Sequence, residues 1–272
     1  MPDATEILHT PETEFVIAGD SHIFAMGASQ AYVGPISLMA VDVPRCQGYF
    51  LMARWQGGRG PTYWDALVPL SRGRIVVLVV MGNQHFAHYL LARKPFFDFV
   101  DPTEPGHVLY PGAVVMPRRM VKALPMFDTR WVRDLVQRLR AGGCREVIVV
   151  GTPPVRSDFG AARENIIKDP FWRKRASSMG IDIASCGFTP APIMKRLWGV
   201  LQESLADVAG ETRARFLSVP GEAIDEHGFR KAEYCGPLWN FAHANDAYGR
   251  LVLEHIVRAV GRVADEASAP VS

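Results

Sequence analysis

Three short polar clusters stand out along the 272-residue chain: Gly19-Asp20-Ser21-His22, Gly82-Asn83-Gln84-His85 and Asn240-Phe241-Ala242-His243-Ala244-Asn245-Asp246. The first two directly follow apolar runs, Phe15-Val16-Ile17-Ala18 and Ile75-Val76-Val77-Leu78-Val79-Val80. A serine, a histidine and an asparagine amide are the groups that acyl transfer needs. Ser21 would be the nucleophile, and His243 would take its proton and later return it to the leaving group. The Asn83 amide and a backbone N–H would hold the oxyanion; losing one such donor typically costs about 10²–10³ in rate. Gly57, Gly58 or Gly60, in a glycine-rich loop between the first two clusters, could bring a further N–H close, since no side chain blocks the backbone there.

These residues meet only if the fold brings three distant segments together. Short apolar runs ending in polar residues read as buried parallel strands. Strands are expected at Phe15–Ala18, Ile36–Val41, Ile75–Val80, Val147–Val150 and Arg215–Val219. Between them, Trp131, Val132, Leu135, Val136 and Leu139 recur at helical spacing and stop at Gly142-Gly143. Met194, Leu197, Trp198, Leu201, Leu205 and Val208 mark a second amphipathic helix, and a last helix is expected from about Asn245 to Val260. A short helix over Ala25–Ala31 and a charged one over Ala161–Met179, interrupted at Pro170, complete the pattern. Residues 93–125 read as a long insertion with a short strand at Val114–Met116, and the two ends, before Glu14 and from Glu266, as loose chain. Strands alternating with helices imply βαβ units and a parallel sheet, whose strand C-termini share one edge. No linker divides the chain, so one domain over residues 1–272, with a core from about 14 to 262, is expected.

A formal charge of +2 gives no electrostatic case for nucleic acid or an anionic membrane as partner. Basic clusters such as Arg173-Lys174-Arg175 read as solvated faces. There is no basic-then-apolar leader, and the strongest apolar run, Ile75–Met81, is too short to span a bilayer, so a cytoplasmic location is expected. Cys46, Cys144, Cys186 and Cys235 form no CxxC pair and read as free, mostly buried thiols. His22, His85 and His88 match no metal-ligand spacing, and no metal is expected. Trp55, Tyr63 and Trp64 could stack on a sugar or belong to the core, and Ser21 could merely cap a helix.

With these blocks the chain resembles the SGNH (GDSL-type) hydrolases, a family of esterases and lipases. The resemblance rests on Gly19-Asp20-Ser21, on a loop glycine for which Gly58 is chosen, on Asn83 after a core strand, and on His243 leading into the final helix. It implies a three-layer α/β/α sandwich around a mostly parallel five-stranded, flavodoxin-like sheet. It also implies hydrolysis of a small ester, such as an acetyl group on a carbohydrate, through an acyl-Ser21 intermediate without a cofactor.

Two departures carry weight. The family's Gly-x-Asn-Asp block appears here as Gly82-Asn83-Gln84, so aligning the glycines would put Gln84 in the oxyanion role. Three residues before His243, where the family has an aspartate, stands Asn240. An amide oxygen can orient an imidazole but cannot offset its charge; in a serine protease, the Asp-to-Asn change costs about 10⁴ in kcat. Ser21 and His243 then work as a dyad, or another acid such as Asp246 or Asp225 serves, or the chain is slow or a ligand-binding relative. Acyl transfer to an acceptor other than water would use the same residues.

Overall fold

A computed structural model describes residues 15–41, 47–54, 60–92, 96–104, 106–124 and 129–268. Cys46, Trp55, Gly57 and Gly58, and the two ends expected to be loose, before residue 15 and from 269, lie outside the described residues.

The main sheet has six strands rather than five, in the order β2-β3-β1-β4-β7-β8. They are β1 (Phe15–Gly19), β2 (Ser37–Ala40), β3 (Gly48–Met52), β4 (Ile75–Val79), β7 (Glu146–Val150) and β8 (Arg215–Leu217). The strand absent from the sequence reading is β3, whose Gly-Tyr-Phe-Leu-Met run neither alternates nor contains a β-branched residue. It pairs parallel with β1 and antiparallel with the edge strand β2. Leaving β2 aside, the order β3-β1-β4-β7-β8 is the flavodoxin arrangement, which reverses direction between β1 and β4. That switch point opens the crevice in which such sheets bind ligands.

Successive strand residues face opposite sides. Val16, Ala18, Val76, Leu78, Val147 and Val149 pack under helices α1 (Pro61–Leu70), α4 (Arg130–Ala141) and α7 (Ala191–Thr212). Ile17, Val77, Val79, Ile148 and Val150 pack instead against Val252, Ile256 and Val260 of α8 (Asp246–Ser268). The result is a three-layer sandwich. Helix α8 runs past Val260 to Ser268, because residues 262–268 contain no glycine or proline and the next proline in the sequence is Pro270. Pro170 does not interrupt one helix but begins another. Helix α5 (Arg163–Lys168) ends, Asp169 caps the Phe171 and Trp172 N–H groups, and α6 (Pro170–Ser178) follows. The three described cysteines, Cys144, Cys186 and Cys235, are free thiols and half-buried rather than buried.

The insertion forms a small parallel pair, β5 (Phe97–Asp98) and β6 (Val114–Val115), followed by α3 (Arg118–Lys122). It is locked to α7 through Asp98, which is fully buried. Its carboxylate accepts from Arg196 Nη2 at 2.5 Å and from the N–H groups of Phe99 and Tyr110. Burial pushes the Asp98 pKa up, but those N–H groups and the guanidinium outweigh it and leave it below the ordinary carboxylate value. Its contribution to stability is therefore present above the unfolded carboxylate pKa of about 3.9 and lost as pH falls through the lower folded value. Arg196→Ala removes the guanidinium from a buried carboxylate and leaves it the two N–H groups and His107 Nε2 at 3.4 Å, so a cost of about 3 kcal/mol, the lower end for a broken buried pair, is expected from the shift of the urea midpoint.

Candidate active site

Strand β1 ends against the end of β4. A side chain at Gly19 would place its Cβ 2.3 Å from the Val79 carbonyl oxygen, so only glycine fits. The Asp20 N–H donates to that same oxygen at 2.9 Å, and Asp20 Oδ2 accepts from the Met81 N–H at 3.2 Å. The chain then turns into a 3₁₀ helix, Ser21–Met26, closed by Gly27 at φ 111°. This turn replaces the helix expected over Ala25–Ala31. Helix α8 clamps it at backbone distance: a Cβ on Gly249 would lie 1.7 Å from the Ala25 oxygen. Ser21 has no capping role, since the N-cap is Asp20 and no side chain caps this turn.

Past β4, Met81 is held at φ 62°, a left-handed conformation rare for a side-chain-bearing residue. Gly82 follows, where a Cβ would sit 1.9 Å from the His22 ring. Asn83 is thereby presented at the N-terminus of α2 (Gln84–Tyr89), against His22. The third segment, Gly236–Asn245, is held from below by two arginines. Arg156 donates to the Gly236 oxygen at 2.7 Å, and Arg230 to the Phe241 oxygen at 3.3 Å. Asn245 ties it to the Glu233 oxygen and caps α8 through the Tyr248 N–H.

These turns bring Ser21, Asn83, Asn240 and His243 together. Ser21 Oγ lies 2.8 Å from His243 Nε2 across 222 residues of sequence. His243 Nδ1 lies 2.6 Å from Asn240 Oδ1. An amide oxygen only accepts, so the imidazole carries its proton on Nδ1 and turns a bare Nε2 toward the serine hydroxyl. Asn83 Nδ2 stands 3.2 Å from the same Nε2, and His22 Nε2–H donates to Asn83 Oδ1 at 3.0 Å. The amide beside the histidine is thus that of Asn83; Gln84 lines the same crevice. His22 fixes which end of the Asn83 amide faces His243, a role its sequence position did not reveal.

No carboxylate among the described residues bonds His243. Asp225 Oδ1 is occupied by the N–H groups of His227 and Phe229, and Asp246 is exposed at the start of α8. The nearby charge is instead positive. Arg230 is 3% exposed, with no carboxylate partner among the described residues. Burial, then the charge of Arg230, hold the His243 pKa below the ordinary histidine value. Burial, His243 and Arg230 push His22 well below it. His85 is brought to about 3 by burial and then Arg230, and neither ring nitrogen has a hydrogen-bond partner among the described residues.

A histidine kept neutral in the fold lends stability above its unfolded pKa of about 6.5, and that stability is lost as pH falls toward its folded value. His85→Leu removes two unsatisfied buried nitrogens. It is expected to leave stability at neutral pH within about 1 kcal/mol and to flatten its decline between the unfolded pKa and about 3, measured by urea unfolding across pH.

The crevice in front of Ser21 has a volume of about 620 Å³. Phe86, Trp172 and Phe241 form its buried aromatic wall, while Phe171 and Trp239 stand at its rim, 55% and 72% exposed. A second recess shares Ser21, Trp239 and His243 with it, so the hydroxyl sits where two openings meet. Tyr63 and Trp64 are core residues on α1: the Tyr63 hydroxyl accepts from Gly19 N–H and donates to the Leu51 oxygen. Gly60 is the N-cap of α1. The basic run read as a solvated face contributes Arg175 to the crevice wall.

No family model and no curated protein matches the chain. Its structural neighbours are acylhydrolases and acetylxylan esterases. A candidate acylhydrolase from Bacteroides fragilis is 12% identical, with 95% of this chain and 94% of that one covered and a TM-score of 0.48. Axe2 from Geobacillus stearothermophilus, an acetyl-xylooligosaccharide esterase, is 14% identical in one variant, covering 92% and 94%, with a TM-score of 0.49. A catalytic variant of the same esterase gives 13% identity over the same coverage and a TM-score of 0.49. Among the described residues no helix is long and apolar enough to cross a membrane.

Proposed function

We propose that the chain is a serine esterase acting on a small ester. The observation that carries this reading is the relay Ser21 Oγ–His243 Nε2, His243 Nδ1–Asn240 Oδ1, with the Asn83 amide alongside. His243 Nε2 takes the hydroxyl proton as Oγ bonds to the ester carbonyl carbon. The carbonyl oxygen becomes an anion facing the Asn83 amide and the N–H of Ser21 at the head of the 3₁₀ turn. Collapse breaks the ester C–O bond, the alcohol leaves with the proton from His243, and an acyl-Ser21 remains. Water, deprotonated by His243, then releases the acid and restores the serine. Trp239 and Phe171 at the rim offer faces on which a carbohydrate carrying an acetyl group can stack.

The same geometry limits the rate. Asn240 orients the ring without compensating its charge, and Arg230 opposes the imidazolium. Those two residues favour, as a second reading, a weakened relative that binds its ligand and turns it over slowly. A fluorophosphonate probe tests the nucleophile on which both readings depend: a single covalent adduct mapping to Ser21 is expected by intact-mass and peptide analysis, and the turnover number for a simple acetyl ester then separates the two. No adduct, or one on another residue, would overturn the nucleophile assignment.

A further inference from the structure

Helix α6 carries Arg175 onto the crevice wall, where the residue is half-buried. Its Nη2 donates to His88 Nδ1 at 3.0 Å, and its Nε–H is buried with no acceptor among the described residues. His88 is a neutral partner, because burial and then the charge of Arg175 itself hold its pKa below the ordinary value. Among the described residues no carboxylate lies within salt-bridge distance of this guanidinium. Arg118, Arg140, Arg156 and Arg196 each have a carboxylate partner, Glu203, Glu146, Asp158 and Asp98, while Arg74, Arg163 and Arg230 donate to backbone carbonyls; among the described residues Arg175 has neither kind of oxygen acceptor. The two carboxylates that line the same crevice are engaged by backbone, Asp169 capping α6 and Asp20 accepting from Met81. A guanidinium partly withdrawn from water ordinarily has an acid beside it. Here the missing counter-charge faces space large enough for a ligand.

We propose that Arg175 recognises an anionic group on the substrate, so that the crevice selects esters bearing a negative charge. A carboxylate fits the guanidinium fork in its own plane, and a phosphate or sulfate presents the same paired oxygens. The Trp172 and Phe171 rings, on the same helix, supply apolar faces for the carbon skeleton beside that group. The inference rests on the esterase reading for its turnover, not for its binding.

The test compares matched esters that differ by one charge. para-Acetoxybenzoate is set against para-acetoxybenzamide, and mono-para-nitrophenyl adipate against its methyl ester, to place the charge on the alcohol or the acyl side. para-Acetoxybenzenesulfonate and para-acetoxyphenyl phosphate distinguish the other oxyanions. The wild type is expected to prefer a charged member of at least one pair by roughly ten-fold in kcat/KM. Arg175→Gln should bring that ratio to about one, Arg175→Lys should retain part of it, and added salt should shrink it. Equal rates across every pair, or a preference that survives in Arg175→Gln, would overturn the inference. Calorimetric binding of para-acetoxybenzoate to the Ser21→Ala protein needs no turnover. Binding that Arg175→Gln then abolishes, in a chain that hydrolyses none of the esters, upholds the anion site and defeats the esterase reading. Absence of both binding and preference defeats the anion site.

Discussion

Ser21→Ala is expected to lower kcat/KM for a simple acetyl ester by at least about 10³-fold, to the uncatalysed background. The effect is large because nucleophile, base and oxyanion donor act as one unit, and without Oγ no acyl-enzyme can form. Stability should change by no more than about 1 kcal/mol, since the residue is half-buried and, among the described residues, its hydroxyl bonds only the His243 ring. Ester hydrolysis followed by alcohol release, together with thermal unfolding of both proteins, checks the two halves of this expectation. Wild-type turnover in the variant would place the chemistry elsewhere in the crevice.

Asn240→Asp should move the rate the other way. A carboxylate oxygen at that position accepts the same Nδ1–H bond and adds the charge that an imidazolium needs. The reverse change in a serine protease costs about 10⁴ in kcat, which sets the ceiling; a gain of at least about ten-fold is expected here. The pH profile supplies an independent readout. His243 works as a base when neutral, so kcat/KM holds above its pKa and falls as pH drops through it. In the wild type burial and Arg230 place that fall below the ordinary histidine value. A neighbouring carboxylate favours the charged ring, so the fall should move to higher pH in Asn240→Asp. A rate and a profile both unchanged would mean that residue 240 does not act on His243.

Residue types and their order along the chain were enough to mark Ser21, Asn83 and His243, because each follows or precedes an element with a clear pattern; Asn240 was marked by the family resemblance, as the residue three before His243 where an aspartate is expected. The β-branched run Ile75–Val79 can only be a buried strand, and the spacing of Leu197, Leu201 and Leu205 can only be a helix face. The parallel sheet follows from their alternation, and with it the shared edge on which the polar clusters converge. Tertiary structure decided what no local pattern records. Tyr49 and Phe50 suit a strand, but β3 has no alternation to announce it and is defined by its pairing with β1 and β2. His22 becomes the support of Asn83 only because Gly19 and Gly82 let two strand ends approach within backbone contact. Arg175 lies in a run that reads as a solvated face and Arg230 drew no reading at all, yet packing buries Arg230 near the histidines and sets Arg175 on the crevice wall. Sequence periodicity reports which face of an element is apolar. The electrostatic setting of the histidine depends on charges that arrive from other elements, and their distances come into being only when the layers close.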